Sequence, residues 1–368
     1  MNQEVDLQRI CHQFRFTGDL LEVAPYGQGH IHATFVVRNL QRNGGIRRYL
    51  LQRINRQVFP EPEKVMANIV RVTEHLRQKI VAKGGDPLRG TINLIPTQNG
   101  EFFYRTEDGE YWRAEAFIEG AKTHPTSDEL HQYYNAARAF GRFQHDLADF
   151  PVHELHVTIP DFHHTGKRFE RFSESVQKDV FHRASAAKDE IEFAFQHSGE
   201  VNVLTGLATA GELPERVTHN DAKLDNILMD EQTGEVICVI DLDTVMPGLA
   251  VYDFGDLVRS GANTASEDEP DLARVKLDLG RYENILRGFL DGTRDSLTSP
   301  EIDQLPFAAR LITFEQGLRF LTDYLDGDSY YRLQYADHNL VRARTQFQLV
   351  AEMEARFDEM MGILERDR

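Results

Sequence analysis

A chain of 368 residues, 41% hydrophobic and 27% charged, is too long for one small core and too apolar to be disordered, so two packed lobes or domains are expected. Its 41 basic and 59 acidic side chains leave a net charge of -18, which repels phosphodiester backbones and argues against nucleic-acid binding, while suiting either solubility or a cationic substrate. Only Cys11 and Cys238 are cysteines, the N-terminal MNQEVDLQRICHQF is polar, and no run reaches the roughly 20 apolar residues of a membrane span. A reducing, cytoplasmic location with no membrane partner is the expectation.

In chain order, β-rich runs at Ala33 to Val37 and Tyr49 to Ile54, separated by the Gly44-Gly45 turn, predict strands. Val65, Ile69, Val72, Leu76 and Ile80 recur every three or four residues and predict a helix over Pro62 to Lys83. Strand patterns return at Thr91 to Pro96, Glu101 to Thr106 and Tyr111 to Ile118. Beyond Gly120 helical patterns dominate, at Glu129 to Leu147, Phe169 to Gln196, Lys276 to Leu290 and Val341 to Leu364. One hairpin interrupts them, formed by Ile227 to Asp230 and Val236 to Asp241 with Gly234 in the turn. The division expected is a small β-rich lobe, 1–118, followed by a larger helical lobe, 119–368.

Immediately before the hairpin stands His219-Asn220-Asp221-Ala222-Lys223-Leu224-Asp225-Asn226, of the form H-x-D-x-K-x-x-N, and the hairpin closes on Asp241-Leu242-Asp243. Phosphoryl transfer needs a carboxylate to orient the attacking hydroxyl, together with an amide and a second carboxylate that hold magnesium on the phosphates. Asp221, Asn226 and Asp241 supply those parts in kinase order, and Lys223 can neutralise charge on the transferred group. Asp253-Phe254-Gly255 spells the kinase magnesium motif literally but opens a predicted helix, Tyr252 to Arg259, beyond Pro247-Gly248. Asp253 is therefore expected to bind backbone amides of the catalytic loop. In the β-rich lobe, Gly27 and Gly29 form a turn whose amides can approach phosphates, and Arg53, on the next strand, is either a phosphate-contacting cation or an exposed base.

These motifs resemble those of the aminoglycoside phosphotransferase and choline kinase superfamily. The strings YGQGHIHATF, LLQRINRQVFPEPEKVMANI, THNDAKLDNILMD, CVIDLDTVMPGLAVYDFGDLVRS and EQGLRFLTDYLDGDSYY resemble its N-acetylhexosamine 1-kinase group. The resemblance implies an α+β, protein-kinase-like two-lobe fold. It implies a kinase that uses ATP and Mg2+ to phosphorylate the anomeric hydroxyl of a sugar such as GlcNAc or GalNAc, with no obligate protein partner. Asp221 is implied as base, Lys223 as phosphate contact, Asn226 and Asp241 as metal ligands and Asp243 as a further one. Gly27, Gly29 and Arg53 are implied beside the phosphates, and the hinge from Glu115 through Phe117 to Ile118 at adenine. Asp225 departs from the asparagine usual in that group, and Glu61, Glu63 and Glu74 all remain open as partners of Arg53. Arg319, Asp323 and Tyr324 fit either a sugar pocket or an Arg319–Asp323 ion pair four residues apart on a helix. His153, His156, His163 and His164 lack zinc-site spacing and read as a polar connecting loop. The rival readings are an aminoglycoside or choline-type kinase and a nucleotide-binding module without catalysis.

Overall fold

The computed structural model describes residues 6–27, 31–123 and 130–368. An antiparallel sheet of five strands opens the chain: β1 (Asp19–Pro25), β2 (Ala33–Leu40), β3 (Ile46–Arg53), β4 (Tyr104–Arg105) and β5 (Tyr111–Ala116), in the order β1-β2-β3-β5-β4. Side chains alternate across it. One face, with Val37, Tyr49, Leu51, Trp112 and Ala114, packs on Ile10, Cys11 and Phe14 from the N-terminal segment. The cross-strand pairs Leu50↔Glu115 and Gln52↔Arg113 lie on the other face, which looks toward the second lobe. Thr91 to Pro96 is no strand of its own. It runs beside β5 as an isolated bridge at Leu94 and Glu115, with an Ala116 N–H bond to Asn93 O at 2.8 Å and an Ile95 N–H bond to Ala114 O at 2.8 Å. The Glu101 to Thr106 run yields only the two residues of β4.

The Pro62–Ala82 helix buries Val65, Ile69, Val72 and Leu76 in a cluster shared with Phe143, Leu147 and Val245 of the following lobe, so the apolar stripe of this helix joins the two halves. Asn68, on the same face, donates to His156 O at 2.8 Å and to Val245 O at 3.0 Å.

The helical half carries a three-stranded sheet of β6 (Ala121–Lys122), β8 (Ile227–Asp230) and β9 (Val236–Val239), and a two-stranded one of β7 (Arg216–Thr218) and β10 (Met246–Gly248). The helix expected over Phe169 to Gln196 is two, Thr165–Lys178 and Lys188–Gln196. Asp179 ends the first in a left-handed conformation, φ 34°, and its carboxylate accepts from Arg183 N at 2.8 Å and Ala184 N at 3.0 Å, a local competitor to helical bonding. Val341 to Leu364 likewise divides at Arg356 into His338–Ala355 and Phe357–Asp367. The sequence expectations touched the Leu305–Leu325 helix only at Arg319, Asp323 and Tyr324, because it is apolar on nearly all sides, with no stripe to detect. It crosses Ala250–Gly261 so closely that a Cβ on Gly255 would meet Ala308 O at 2.7 Å. Among the described residues no helix is long and apolar enough to cross a membrane.

Candidate active site

β7 delivers the chain into His219-Asn220-Asp221, where Asn220 takes φ 64°. That unusual turn is held from several sides. Asp253, in the first turn of the Ala250–Gly261 helix, accepts from His219 N at 2.9 Å and Asn220 N at 2.7 Å, and also from the Gln144 amide. His219 donates through Nε2 to Ile240 O at 2.9 Å, and Thr244 Oγ1 donates to His219 O at 2.6 Å. The literal Asp-Phe-Gly thus shapes the loop, as the sequence led us to expect.

His163 lies in the expected connecting segment, yet it is not a solvated residue there. It is 8% exposed, with Nε2 3.0 Å from Asn220 O and Nδ1 2.8 Å from Glu315 Oε1, while Thr165 Oγ1 donates to Glu315 Oε2 at 2.7 Å. A carbonyl only accepts, so Nε2 carries a proton toward the loop. Burial opposes ionisation of Glu315, but His163, Arg168 and the Thr165 hydroxyl outweigh it, and its pKa is lowered.

Asp221 has its Oδ2 3.0 Å from Lys223 Nζ, and Asn226 Nδ2 donates to the same oxygen at 2.9 Å and to Asp221 O at 2.8 Å. Burial is again outweighed, by Lys223, His219 and these bonds, so the carboxyl stays ionised. Lys223 is pushed up in turn, as Asp221 and Asp256 overcome its burial. The β8–β9 hairpin, closed by Ile240 N–H to Asn226 O at 2.9 Å, returns Asp241 to this cluster at φ 61°. Solvent reaches Asp241 in the cleft, yet enclosure by the cleft walls, then Asp243 and Asp221, push its pKa up to about 8. Asp225 lies on the surface.

Asp243 is differently engaged. Arg113 Nη1 and Nη2 each donate to it at 2.6 Å, both residues being buried, and His32 Nε2 stands 3.4 Å away. Burial opposes its charge, and Arg113 and His32 reverse that, so its pKa falls well below the usual carboxylate range. Both oxygens on one guanidinium make this residue a clasp between β5 and the loop after β9, which is a poor arrangement for a metal ligand.

Arg53 also departs from expectation. It pairs with Trp112 across β3 and β5, which places it on the sheet face away from the cleft, 3.9 Å from Glu110. Glu61 meets Lys64, Glu63 meets the Tyr111 hydroxyl and Glu74 meets Arg77. Turned toward the cleft instead is Arg113, whose Nε donates to Gln52 Oε1 at 2.8 Å. Its signal was the alternation Trp112-Arg113-Ala114-Glu115-Ala116, charged residues on one face of an otherwise apolar strand. Burial, with Asp243 adding to it, raises the pKa of Glu115 against the pull of Arg113 3.4 Å away. Phe117 begins the connection from β5 to β6; the Arg48 guanidinium lies 3.9 Å over its ring and Tyr26 meets it edge-on at 5.6 Å. Gly27, at φ 73°, follows Tyr26, so Gly27 and this connection share one end of the cleft. Gly29 lies outside the described residues.

Arg319 forms no pair with Asp323. It donates to Gln316 Oε1 at 3.0 Å and stacks over Phe162, 5.1 Å, and Tyr331, 5.9 Å. Burial opposes its charge, but Tyr331, Tyr330, Glu315 and Asp221 reinforce it. Arg168 lies close enough that burial and then Arg319 lower its pKa. Asp323 instead organises the following loop, accepting from Ser329 N, Tyr330 N and Tyr331 N at 2.8 to 2.9 Å. Tyr324 packs under Arg183 at 4.8 Å.

Among the described residues no three His, Cys, Asp or Glu side chains are arranged to hold a metal by themselves. Asp241, raised by Asp243 and Asp221, and the Asn226 amide that bonds Asp221 nevertheless fit a divalent cation whose remaining ligands are phosphates and water.

The chain matches the phosphotransferase enzyme family over residues 22–289. An aminoglycoside phosphotransferase from Alicyclobacillus acidocaldarius subsp. acidocaldarius DSM 446 superposes with a TM-score of 0.60 at 12% identity, covering 98% of this chain and 96% of that one. Amicoumacin kinase hAmiN, in complex with AMP-PNP, Ca2+ and Ami, gives 0.56 at 14% identity over 96% and 94%. Plasmodium vivax ethanolamine kinase gives 0.53 at 14% over 88% and 82%. At these identities the structures share a fold, the two-lobed kinase-like one, and the profile match across well over half of the sequence places the chain in the phosphotransferase enzyme family.

Proposed function

We propose that this phosphotransferase moves the γ-phosphoryl group of ATP to the anomeric hydroxyl of an N-acetylhexosamine. Asp221, ionised and fixed by Lys223 and Asn226, accepts the hydrogen bond of the attacking hydroxyl and aligns it. Lys223 faces the charge that builds on the transferred group. Asn226 and Asp241 would hold Mg2+, which when bound neutralises the phosphate oxygens. Gly27 and its turn are assigned to the phosphates and the backbone from Glu115 through Phe117 to adenine. The lobe division 1–118 and 119–368 follows from the same assignment, with the hinge between β5 and β6.

One observation favours a neutral acceptor over an aminoglycoside or choline. Arg319 and Arg168 stand on the acceptor side of Asp221 with aromatic Phe162 and Tyr331. The neighbouring acids are spent, Glu315 on His163 and Thr165 and Asp323 on backbone amides. A cationic substrate meets two guanidinium groups while Glu315 and Asp323 are already engaged, whereas an acetamido carbonyl and ring hydroxyls meet donors and an aromatic wall. An ADP-release screen across GlcNAc, GalNAc, glucose, galactose, choline and kanamycin tests this, with phosphorus NMR of the product. The expected product shows the phosphate coupled to the anomeric proton, and activity confined to choline or kanamycin overturns the sugar assignment.

A further inference from the structure

A cavity of about 410 Å³ opens between the Pro62–Ala82 helix, the Leu130–Asp146 helix and the β8–β9 hairpin, and it contains none of the residues assigned above. Arg138 and Arg142 line it. Four residues apart, they share one helix face, where like charges repel. Among the described residues neither has an ion pair, and Arg138 Nε is buried without any hydrogen-bond partner. Burial, then Arg138 and Arg294, lower the pKa of Arg142. Two acids also line the cavity: Asp146 is bound by Lys83, and Glu235 is exposed on the hairpin. Thr91, on the wall and 1% exposed, has a hydroxyl with no partner. In a chain with 59 acidic and 41 basic side chains, two guanidinium groups crowded together with no carboxylate paired to either among the described residues are anomalous, and an anion relieves both the repulsion and the missing bonds.

We infer that this cavity binds a small organic phosphate monoester. Guanidinium forks match phosphate oxygens in two-point contacts, and Leu76, Ile80 and Ala139 offer apolar wall to a sugar-sized body. The volume falls within the usual range for small-molecule sites and far exceeds the need of a bare ion. The walls come from both lobes, and β9 leads directly into Asp241, so an occupant fastens the Pro62–Ala82 helix to the strand that positions the metal-binding carboxylate.

Calorimetric titration of the full chain with glucose 6-phosphate, in saturating Mg·ADP to fill the nucleotide site, tests the inference. One binding event is expected, with inorganic phosphate at least tenfold weaker. Arg142→Gln and Arg138→Gln should each weaken glucose 6-phosphate at least tenfold, and Arg142→Lys should weaken it less. Arg319→Gln, which alters the acceptor side of Asp221, should leave it unchanged. Thermal melts of the free Arg142→Gln protein should match or exceed wild type, since repulsion is removed, and this separates lost binding from lost folding. No binding to wild type, or loss in Arg319→Gln with retention in Arg142→Gln, overturns the site.

Discussion

Two aspartates twelve residues apart, Asp241 and Asp253, meet opposite surroundings. Asp253 is wholly buried and accepts from two backbone amides and the Gln144 amide. Asp241 opens to the cleft beside Asp243 and Asp221, and its pKa rises to about 8. A carboxylate whose lone pairs are filled by the fold is part of the scaffold, whereas one crowded by other acids is stable only when a cation joins it. The literal kinase motif lies at the first, and the chemistry we propose lies at the second.

Exchanging the two roles breaks the comparison most directly. Asp241→Ala should abolish Mg2+-dependent turnover, a loss of about 10³-fold or more by analogy with removing a preorganised electrostatic group, while its melting temperature holds. Asp253→Ala should instead unfold more easily, by about 3 kcal/mol for stranded buried amides, as read by denaturant titration. The opposite ranking would make Asp253 the metal ligand. Asp221→Asn should keep nucleotide affinity and lose about 10²–10⁴-fold in single-turnover transfer, the range of a positioned base.

On the acceptor side, Arg319→Gln should raise the sugar KM by about 10–100-fold, the worth of a hydrogen bond to a charged donor, with smaller change in kcat. A larger effect on nucleotide KM would move Arg319 out of the acceptor pocket.

The pair His163 and Glu315 supports the loop from behind and sets an acid limit. The Glu315 carboxyl is held below its ordinary value of 4.5 in the folded chain, so the stability it contributes is complete above that pH. It is lost as pH falls through the lower folded pKa. Wild type should therefore lose melting temperature on acidification below about pH 4.5, and Glu315→Gln should be less stable at neutral pH with a shallower acid slope. Equal slopes would separate Glu315 from the acid response. The smallest effect is expected at Gly27→Ala. With φ 73° and nothing within 4 Å of an added Cβ, only backbone strain of about 1 kcal/mol is added, measurable by denaturant midpoint.

Local spacing was enough to bring the candidate residues of the Asp221 loop together. Asp221, Lys223 and Asn226 lie within six residues, and a hairpin of readable strand and turn pattern carries Asp241 back to them. The stripe of the Pro62–Ala82 helix and the β-then-helical order were legible for the same reason, since strand and helix periods are properties of short segments. What escaped depended on contacts far apart in the chain. Arg53 and Arg113 are both basic residues on strands, and only the register of β3 against β5 turns one away from the cleft and the other into it. Asp243 and Asp241 are chemically identical in sequence, and a guanidinium 130 residues away claims one of them. His163 looked like a solvated loop residue until Glu315, 152 residues on, and Asn220 O closed around it. Residue type and spacing therefore determine which chemistry the chain carries. Long-range packing decides which copy of each residue type faces the reaction, because burial and partner set the charge and direction of a side chain.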